Sequence, residues 1–374
     1  MIGIVFMTVS LCMIAYNEEE VLPGLLEEVY AQTFDKKKTE LVFVDSASTD
    51  KTRAIFNQFK EKHIDEYMNI VIADNPRKIQ SAGWNTAIKT AMGDIIIRLD
   101  AHASIPKNFI EKNEELIADG EYVCGGARPN NIDKPTAYRE MLLAAESSMF
   151  GSSFAGYRRQ AKGKKYVSSL FHGAYRREVF ARVGGFNVSL GRTEDNELHY
   201  RIRQNGYKIC QSDEIISYQN IRPTLRGMLA QKFGNGKWIG LTVGVCPECL
   251  SIFHFAPFCL VAVIILFLIL MICGMISGQT LLLLPMILLA AAYCLGDLLI
   301  TTAAIITAEH KSLYMLLLPV IFPMLHIVYG IGTLTGFIML PFWKSSLDGS
   351  AEKEIEEVRE SVKNGVHKAG FQDK

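Results

Sequence analysis

The chain has 374 residues, a length that suggests about two domains. Its 39 basic and 39 acidic residues cancel, which removes any global electrostatic argument for nucleic acid, and no nucleic-acid partner is expected. Hydrophobic residues make up 49 % of the chain but are unevenly spread, and the eight scattered cysteines read as the reduced, small hydrophobes of an intracellular protein.

Residues 1–15 are apolar, lack a basic flank and run straight into Tyr16-Asn17-Glu18, unlike a secretory leader. A buried strand over 8–15 is expected, with Met7 as a candidate start of the chain. Further strands are expected over 40–45, 69–73 and 94–99, and helices over 18–32, 50–62, 78–92 and 106–118. That alternation predicts βαβ units and a mainly parallel sheet. Glu18, Glu19 and Glu20 would lie in the first turn of the first helix, favourable for its dipole. Ser48-Thr49-Asp50 is a capping-type sequence for the second.

Residues 121–195 are less regular and include the basic clusters Arg158-Arg159, Lys162-Gly163-Lys164-Lys165 and Arg176-Arg177, candidates for lipid phosphates or solvated loop faces. A helix is expected over 195–205, and 222–250 reads as an amphipathic interfacial segment. Cys246-Pro247-Glu248-Cys249 is a single CxxC near His254, with no second pair to complete a zinc site. Apolar runs over 255–277 and 281–301 are each long enough for one span. The run 313–341, broken by Pro319 and Pro323, reads as one kinked helix or a re-entrant pair. Asp297 and His326 within this block should face protein or water. Three spans would place the tail on the side opposite the first domain. The tail itself is charged and helical in pattern over 351–363.

Carboxylates follow several of the strands: Glu18 after the first, Asp45 after the second and Asp100 after the fourth. Acids so placed lie at the carboxyl edge of an open sheet, where α/β folds bind nucleotides. Asp100 and His102 together suit one divalent cation, Mg²⁺ or Mn²⁺, that neutralises a leaving diphosphate. Glu194-Asp195 opens a helix, as a simple cap or as a base within reach of a hydroxyl. Bland readings stand beside these: Glu18 as a helix-end charge, Asp45 as a strand-end cap, Lys78 as a solvated side chain, and Trp84 and Trp238 as core or interfacial aromatics.

The ordered set is specific where its members are not. It comprises Ala15-Tyr16-Asn17-Glu18-Glu19, Val44-Asp45-Ser46-Ala47-Ser48-Thr49-Asp50, Ala82-Gly83-Trp84-Asn85, Asp100-Ala101-His102, Gly173-Ala174-Tyr175-Arg176-Arg177, Gly184-Gly185-Phe186 and Glu194-Asp195. Over about residues 8–240 it resembles the family 2 glycosyltransferases of GT-A fold. With the apolar tail and the Asp-Ala-His form, it is most similar to the branch of succinoglycan-type exopolysaccharide glucosyltransferases. The resemblance implies an α/β fold, a Rossmann-like nucleotide-diphospho-sugar transferase domain over 1–240. An interfacial and transmembrane region of about three spans over 241–343 and a charged tail over 344–374 would follow.

By the same resemblance Ala15, Tyr16, Glu18 and Asp45 form the nucleoside side of the donor site, and Lys78 and Asn85 approach the donor. Asp100 holds the metal and diphosphate, with His102 where the family has a second Asp. Asp195, with Glu194 beside it, is the base that deprotonates the acceptor. Ser46 replaces the second Asp that many relatives carry. Gln231 and Trp238 resemble the Gln-x-x-Arg-Trp element of processive synthases, but at a different spacing, which favours addition of a single sugar. The implied protein is a multi-pass plasma-membrane enzyme with a cytoplasmic catalytic domain. It inverts a nucleotide sugar, UDP-linked, onto a polyprenyl-diphosphate-linked saccharide in exopolysaccharide or capsule assembly, with other polysaccharide-assembly enzymes as partners. The alternatives are a polyprenyl-phosphate or glycolipid sugar transferase, a processive synthase, and a nucleotide-sugar-binding scaffold.

Overall fold

The computed structural model describes residues 7–151 and 162–368, so the expectations for residues 1–6 and for Arg158-Arg159 lie outside the described residues. Two compact units emerge. The first holds the described residues up to Pro129, those from 162 to Gln219, and those from Leu347 onward; the second holds the rest.

The first unit opens with β1 (Val9–Ala15), α1 (Leu22–Tyr30), β2 (Thr39–Asp45), α2 (Thr52–His63), β3 (Asn69–Asp74), α3 (Gln80–Thr90) and β4 (Ile95–Asp100). Each expected strand and helix of this stretch is present. β5 (Ala103–Ser104), α4 (Phe109–Ala118) and β6 (Val123–Ala127) follow. After β7 (Asn130–Asn131) and α5 (Ala137–Ser147), which belong to the second unit, come β8 (Lys165–Tyr166), β9 (Gly173–Arg176), α6 (Arg177–Val183), α7 (Glu194–Gln204), β10 (Ile209–Ile216) and β11 (Tyr218–Asn220). The main sheet runs β3-β2-β1-β4-β9-β6-β10-β8. Strands β3, β2, β1 and β4 are parallel, and β9 is antiparallel to both of its neighbours.

The central strands bury both faces, which is why they read as continuous apolar runs. Val9, Leu11 and Met13 of β1, Leu41 and Phe43 of β2, and Ile95, Ile97 and Leu99 of β4 join one core with α1, α2 and α4. Cys12, Val42, Val44 and Ile96, offset by one, join a second core with α3, α6 and α7. Period-two alternation therefore aims Arg98 and Asp100, in phase with Ile96, at the face that carries α7.

The first helix starts later than expected. Pro23 sits in the first turn of α1, and the N–H groups of Val21 and Leu22 donate to the Glu18 carbonyl at 3.2 and 2.9 Å. Glu18, Glu19 and Glu20 thus precede the helix, which leaves the Glu18 carboxylate available at the sheet edge. Arg176 and Arg177 also depart from the lipid-facing reading. Arg176 donates to the carbonyls of Glu121 and Ile117 at 2.9 and 2.6 Å, and Arg177 to those of Gly93 and Ala91.

The charged tail forms a helix that completes this unit, α12 (Ser350–Lys368). Its Val358 and Val362 are buried in the same core as Trp84, Phe180 and Phe186. The tail reads as charged because the apolar stripe is narrow: Ala351, Ile355, Val358 and Val362 are spaced at helical intervals among acids and bases.

The second unit contains α8 (Leu225–Thr242) and three helices long and apolar enough to cross a membrane: α9 (Ala256–Ser277), α10 (Leu284–Thr307) and α11 (Leu318–Ser345). The third apolar run is a single α-helix. Pro319 falls in its first turn, where no N–H is needed, and Pro323 is accommodated inside it. Asp297 is buried and accepts from Thr301 Oγ1 at 3.3 Å. The Nε2–H of His326 donates to the Phe150 carbonyl at 2.7 Å, and its Nδ1 accepts from the Tyr293 hydroxyl at 2.8 Å.

Candidate active site

At the carboxyl ends of β1 and β2, two loops are laced together. Ser46 N–H donates to the Ala15 carbonyl at 2.9 Å, and Asn17 Oδ1 accepts from Thr49 N–H at 2.8 Å. Asn17 and Ala47 hold this arrangement with φ of 55° and 56°, in the left-handed region. Asp45 is buried at its strand end, with Oδ1 accepting from Ser48 N–H at 3.2 Å and Oδ2 lying 4.0 Å from Arg53. Tyr16 remains exposed, and the Lys78 ammonium lies 5.1 Å from its ring. Lys78 itself has φ of 58°. An exposed ring beside a cation and a buried carboxylate offers a stacking surface and a hydrogen-bond acceptor.

The end of β4 carries the densest charge. Arg98 is buried between aromatic faces, its guanidinium 4.5 Å from the Trp84 ring, 5.4 Å from Phe171 and 5.3 Å from Phe186. It forms an ion pair with Asp195 and lies 3.8 Å from Glu194 and 3.9 Å from Asp100. Glu194 and Asp195 occupy the first turn of α7, directly after Thr193, whose φ of 75° is unusual for a β-branched residue. That turn carries the chain into α7 so that both acids face Arg98. Burial raises Glu194 above the ordinary carboxylate range, against the pull of Arg98.

Asp100 is met from the other side by His172, whose Nε2 lies 3.6 Å from Oδ2 and whose Nδ1 bonds Ser217 Oγ at 2.8 Å. Burial alone would raise Asp100, but the nearby His172, with Arg98 and His102, holds it below its usual range. Burial pushes His172 down to about 4 against the pull of Asp100. Among the described residues, Asp100 Oδ1, His172 Nε2 and the Nε and Nη2 of Arg98 have no hydrogen-bond partner. Buried polar atoms are normally satisfied, so four orphans in one cluster mark a place for a polar ligand.

His102, expected to share a metal with Asp100, bonds Glu18, Nδ1 to Oε1 at 3.2 Å. Asn85 is fully buried. Its amide clasps the Phe186 backbone, accepting from N–H at 2.6 Å and donating to the carbonyl at 2.9 Å, and also donates to Glu354 at 3.0 Å. Asn85 therefore acts on the site through Phe186 and Arg98. The structure brings Asp100, Glu194 and Asp195 together around Arg98, and it groups Ala15, Tyr16, Glu18 and Asp45 along the neighbouring strand ends. Arg98 and His172 were not singled out from the sequence. The signal for Arg98 was present: a lone charge within Ile95-Ile96-Ile97-Arg98-Leu99 needs a buried partner.

Comparisons with known proteins bear on the fold and family of this chain. Residues 10–184 match the model of the glycosyl transferase family 2. The succinoglycan biosynthesis protein ExoA of Rhizobium meliloti is 30 % identical over 228 residues, 59 % of this chain and 66 % of that protein. The dolichyl N-acetyl-alpha-D-glucosaminyl phosphate 3-beta-D-2,3-diacetamido-2,3-dideoxy-beta-D-glucuronosyltransferase of Methanococcus voltae is 24 % identical over 63 % of this chain and 74 % of its own length. The chain thus spans about two thirds to three quarters of these relatives. Among solved structures, the mannosyltransferase PcManGT from Pyrobaculum calidifontis, in complex with GDP-Man and Mn²⁺, superposes with a TM-score of 0.53 at 18 % identity. That match covers 90 % of this chain and 87 % of the other, a likeness of fold. By these comparisons the chain carries a family 2 glycosyltransferase domain of GT-A fold, followed by candidate membrane helices.

Proposed function

We propose that this protein is a membrane-anchored, inverting glycosyltransferase. It moves a sugar from a nucleotide sugar, UDP-linked, to a polyprenyl-diphosphate-linked saccharide on the cytoplasmic face, in exopolysaccharide or capsule assembly. The observation that carries the reading is the buried cluster of Asp100, Glu194 and Asp195 around Arg98, with orphaned polar atoms at the carboxyl edge of the sheet. The succinoglycan and dolichyl-linked chemistry named for the relatives supports transfer onto lipid-linked or polysaccharide substrates.

In this reading Tyr16, Glu18 and Asp45, with Ala15 beside them, receive the nucleoside, and Lys78 sits where donor phosphate charge arrives. Asp195 accepts the proton of the acceptor hydroxyl. The hydroxyl oxygen bonds the anomeric carbon from the face opposite the leaving group as the bond from that carbon to phosphate oxygen breaks. The nucleoside diphosphate departs with the electron pair, and the configuration inverts. Arg98 pairs with the Asp195 carboxylate and steers it. Trp84, Phe171 and Phe186 shield the guanidinium from water, which strengthens that pairing.

The donor set fits a divalent cation. Asp100 Oδ1 and His172 Nε2 have no hydrogen-bond partner among the described residues, and His102 stands nearby in sequence. Among the described residues no cluster of three or more His, Cys, Asp or Glu is arranged around one point, so diphosphate oxygens and water would supply the remaining ligands, a habit of Mg²⁺ and Mn²⁺. Such an ion, held by Asp100 with an imidazole, supplies Lewis-acid neutralisation of the departing diphosphate.

The test is nucleoside diphosphate release by detergent-purified protein across a panel of nucleotide sugars. Membrane lipid extract serves as acceptor, with Mn²⁺, Mg²⁺ or chelator. Release from one donor, dependent on metal, lost in Asp195→Asn and matched by label in the lipid fraction, is expected. Label on polyprenyl phosphate alone would replace the acceptor named here. Absence of release from every donor, with the extract shown competent by a control transferase, would overturn the reading.

A further inference from the structure

The helices α9 and α10 are built to cross a bilayer. At 1.5 Å per residue their 22 and 24 residues span about 33 and 36 Å, against a hydrocarbon core of about 30 Å. Their most apolar windows are only 11 % and 6 % buried, so lipid can surround them. The short connection between them carries no basic residue. In such a hairpin, the first turn of α9 and the last turn of α10 share one membrane face.

The third helix differs. The window of α11 is 39 % buried, and both its ends meet elements at that shared face. The turn before it follows α10 after only residues 308–312. There Ser312 Oγ donates to the Ala137 carbonyl of α5 at 3.4 Å, and Tyr314 packs edge-on against Tyr138 at 5.9 Å. Towards its other end, Phe337 stacks on Phe255 at 6.2 Å and packs edge-on against Phe258 at 5.0 Å, at the entry of α9. A crossing helix would have delivered Phe337 to the far end of α9.

The sides of α11 are sorted accordingly. Gly332 of α11 packs on the backbone of Phe233 and Lys237, Gly336 on Lys237 and Gly240, and Gly236 of α8 on Tyr329 and Thr333, so that side chains at these glycines would collide with backbone. Val320, Met324, Ile327, Ile331, Ile338 and Phe342 form an exposed apolar stripe at helical spacing. Trp238 of α8 and Trp343 of α11 meet edge-on at 5.9 Å, next to Lys237 and Lys344, the residue types of a membrane interface.

The first unit supplies an independent constraint. The chain leaves it before α8 and returns to it as α12. The Gly184-Gly185-Phe186 turn is shaped for that return: Gly184 has φ of 78°, and a side chain at either glycine would collide with Ile355 or Val358. Gly185 N–H donates to the Ile355 carbonyl at 3.3 Å, and Glu354 pairs with Arg77 and accepts from Asn85. A helix buried in the catalytic core cannot lie across a bilayer from it.

We propose that α9 and α10 form the only crossing hairpin of the three candidate helices. In this arrangement α11 lies along one leaflet with its apolar stripe in the lipid, and the tail returns to the face that holds Asp195. The proposal takes the transferase reading only to call that face catalytic. Its test needs no turnover, so the two fail separately.

Cysteine is introduced singly in the full-length protein at Lys62, Gln279 or Glu357, all exposed positions. Sealed membrane vesicles of both orientations are treated with a membrane-impermeant maleimide, with the unsubstituted protein as background. Lys62→Cys and Glu357→Cys should label from one face and Gln279→Cys from the other, each protected at least tenfold in the opposite orientation. Glu357→Cys labelling together with Gln279→Cys would mean an odd number of crossings and overturn the proposal. All three labelling from one face would do so as well, since the hairpin would then not cross.

Discussion

Both units bury charge, but they treat it differently. In the second unit Lys232 Nζ donates to Glu146 at 3.0 Å and to the Gly151 carbonyl at 3.3 Å, and His326 is bonded at both nitrogens. In the first unit Arg98 faces three carboxylates yet leaves two nitrogens without hydrogen bonds, and Asp100 and His172 each keep an orphaned atom. The former pattern is what a folded membrane-facing structure requires by itself. The latter is costly unless something else completes it. What sets the Arg98 cluster apart is that four such atoms gather at one place.

Four perturbations press on that contrast. Removing the proposed base should have the largest effect: Asp195→Asn is expected to lower turnover by about 10³-fold, within the usual range for general base catalysis, with a lower melting temperature because the buried Arg98 loses its paired charge. Turnover and a thermal melt on the same preparation check it. A comparable energy appears as stability in the second unit. Lys232→Met strands Glu146 in an apolar setting and should cost about 3–5 kcal/mol, most of it recovered by adding Glu146→Leu. Denaturation in detergent reads both variants.

Smaller effects probe the tail and the core of α7. Val358→Ala should cost about 2 kcal/mol by opening a cavity beneath the Gly-Gly turn, seen as a lower melting temperature of the full-length enzyme. His199, buried and bonded to Tyr175 and Ser169, is pushed down to about 3 by burial. Above its unfolded value of 6.5 it is neutral in both states and has no effect. As pH falls below 6.5 the unfolded chain takes up the proton first, and stability declines by about 1.4 kcal/mol per pH unit down to about pH 3. His199→Gln should flatten that limb of a stability-pH curve.

Much of the first unit was legible in the sequence because its central strands are buried on both faces, so that Leu41-Val42-Phe43-Val44 and Ile95-Ile96-Ile97 stand out as apolar runs ending in acids. Asp100 and Glu194-Asp195 were visible for the same reason: each sits at the end of an element whose pattern is strong. His172 was not, because its meaning lies in contacts with Asp100 and Ser217, far away in the chain. Glu18 and His102 were each noticed, but their bond to one another spans 84 positions, which no local pattern encodes. The setting of α11 was hidden because hydropathy measures how apolar a segment is and not how it lies. The docking of α12 had a signal in Ile355, Val358 and Val362, masked by the charges around them.

The position of α12 also has a bearing on biosynthesis. The core that contains Trp84, Phe180 and Phe186 is completed by Val358 and Val362, residues made after all three candidate membrane helices. The catalytic domain therefore finishes folding only once the membrane hairpin has been synthesised. The order of translation thus couples maturation to insertion, so a nascent chain that fails to insert is left with an open core for quality-control proteases to find.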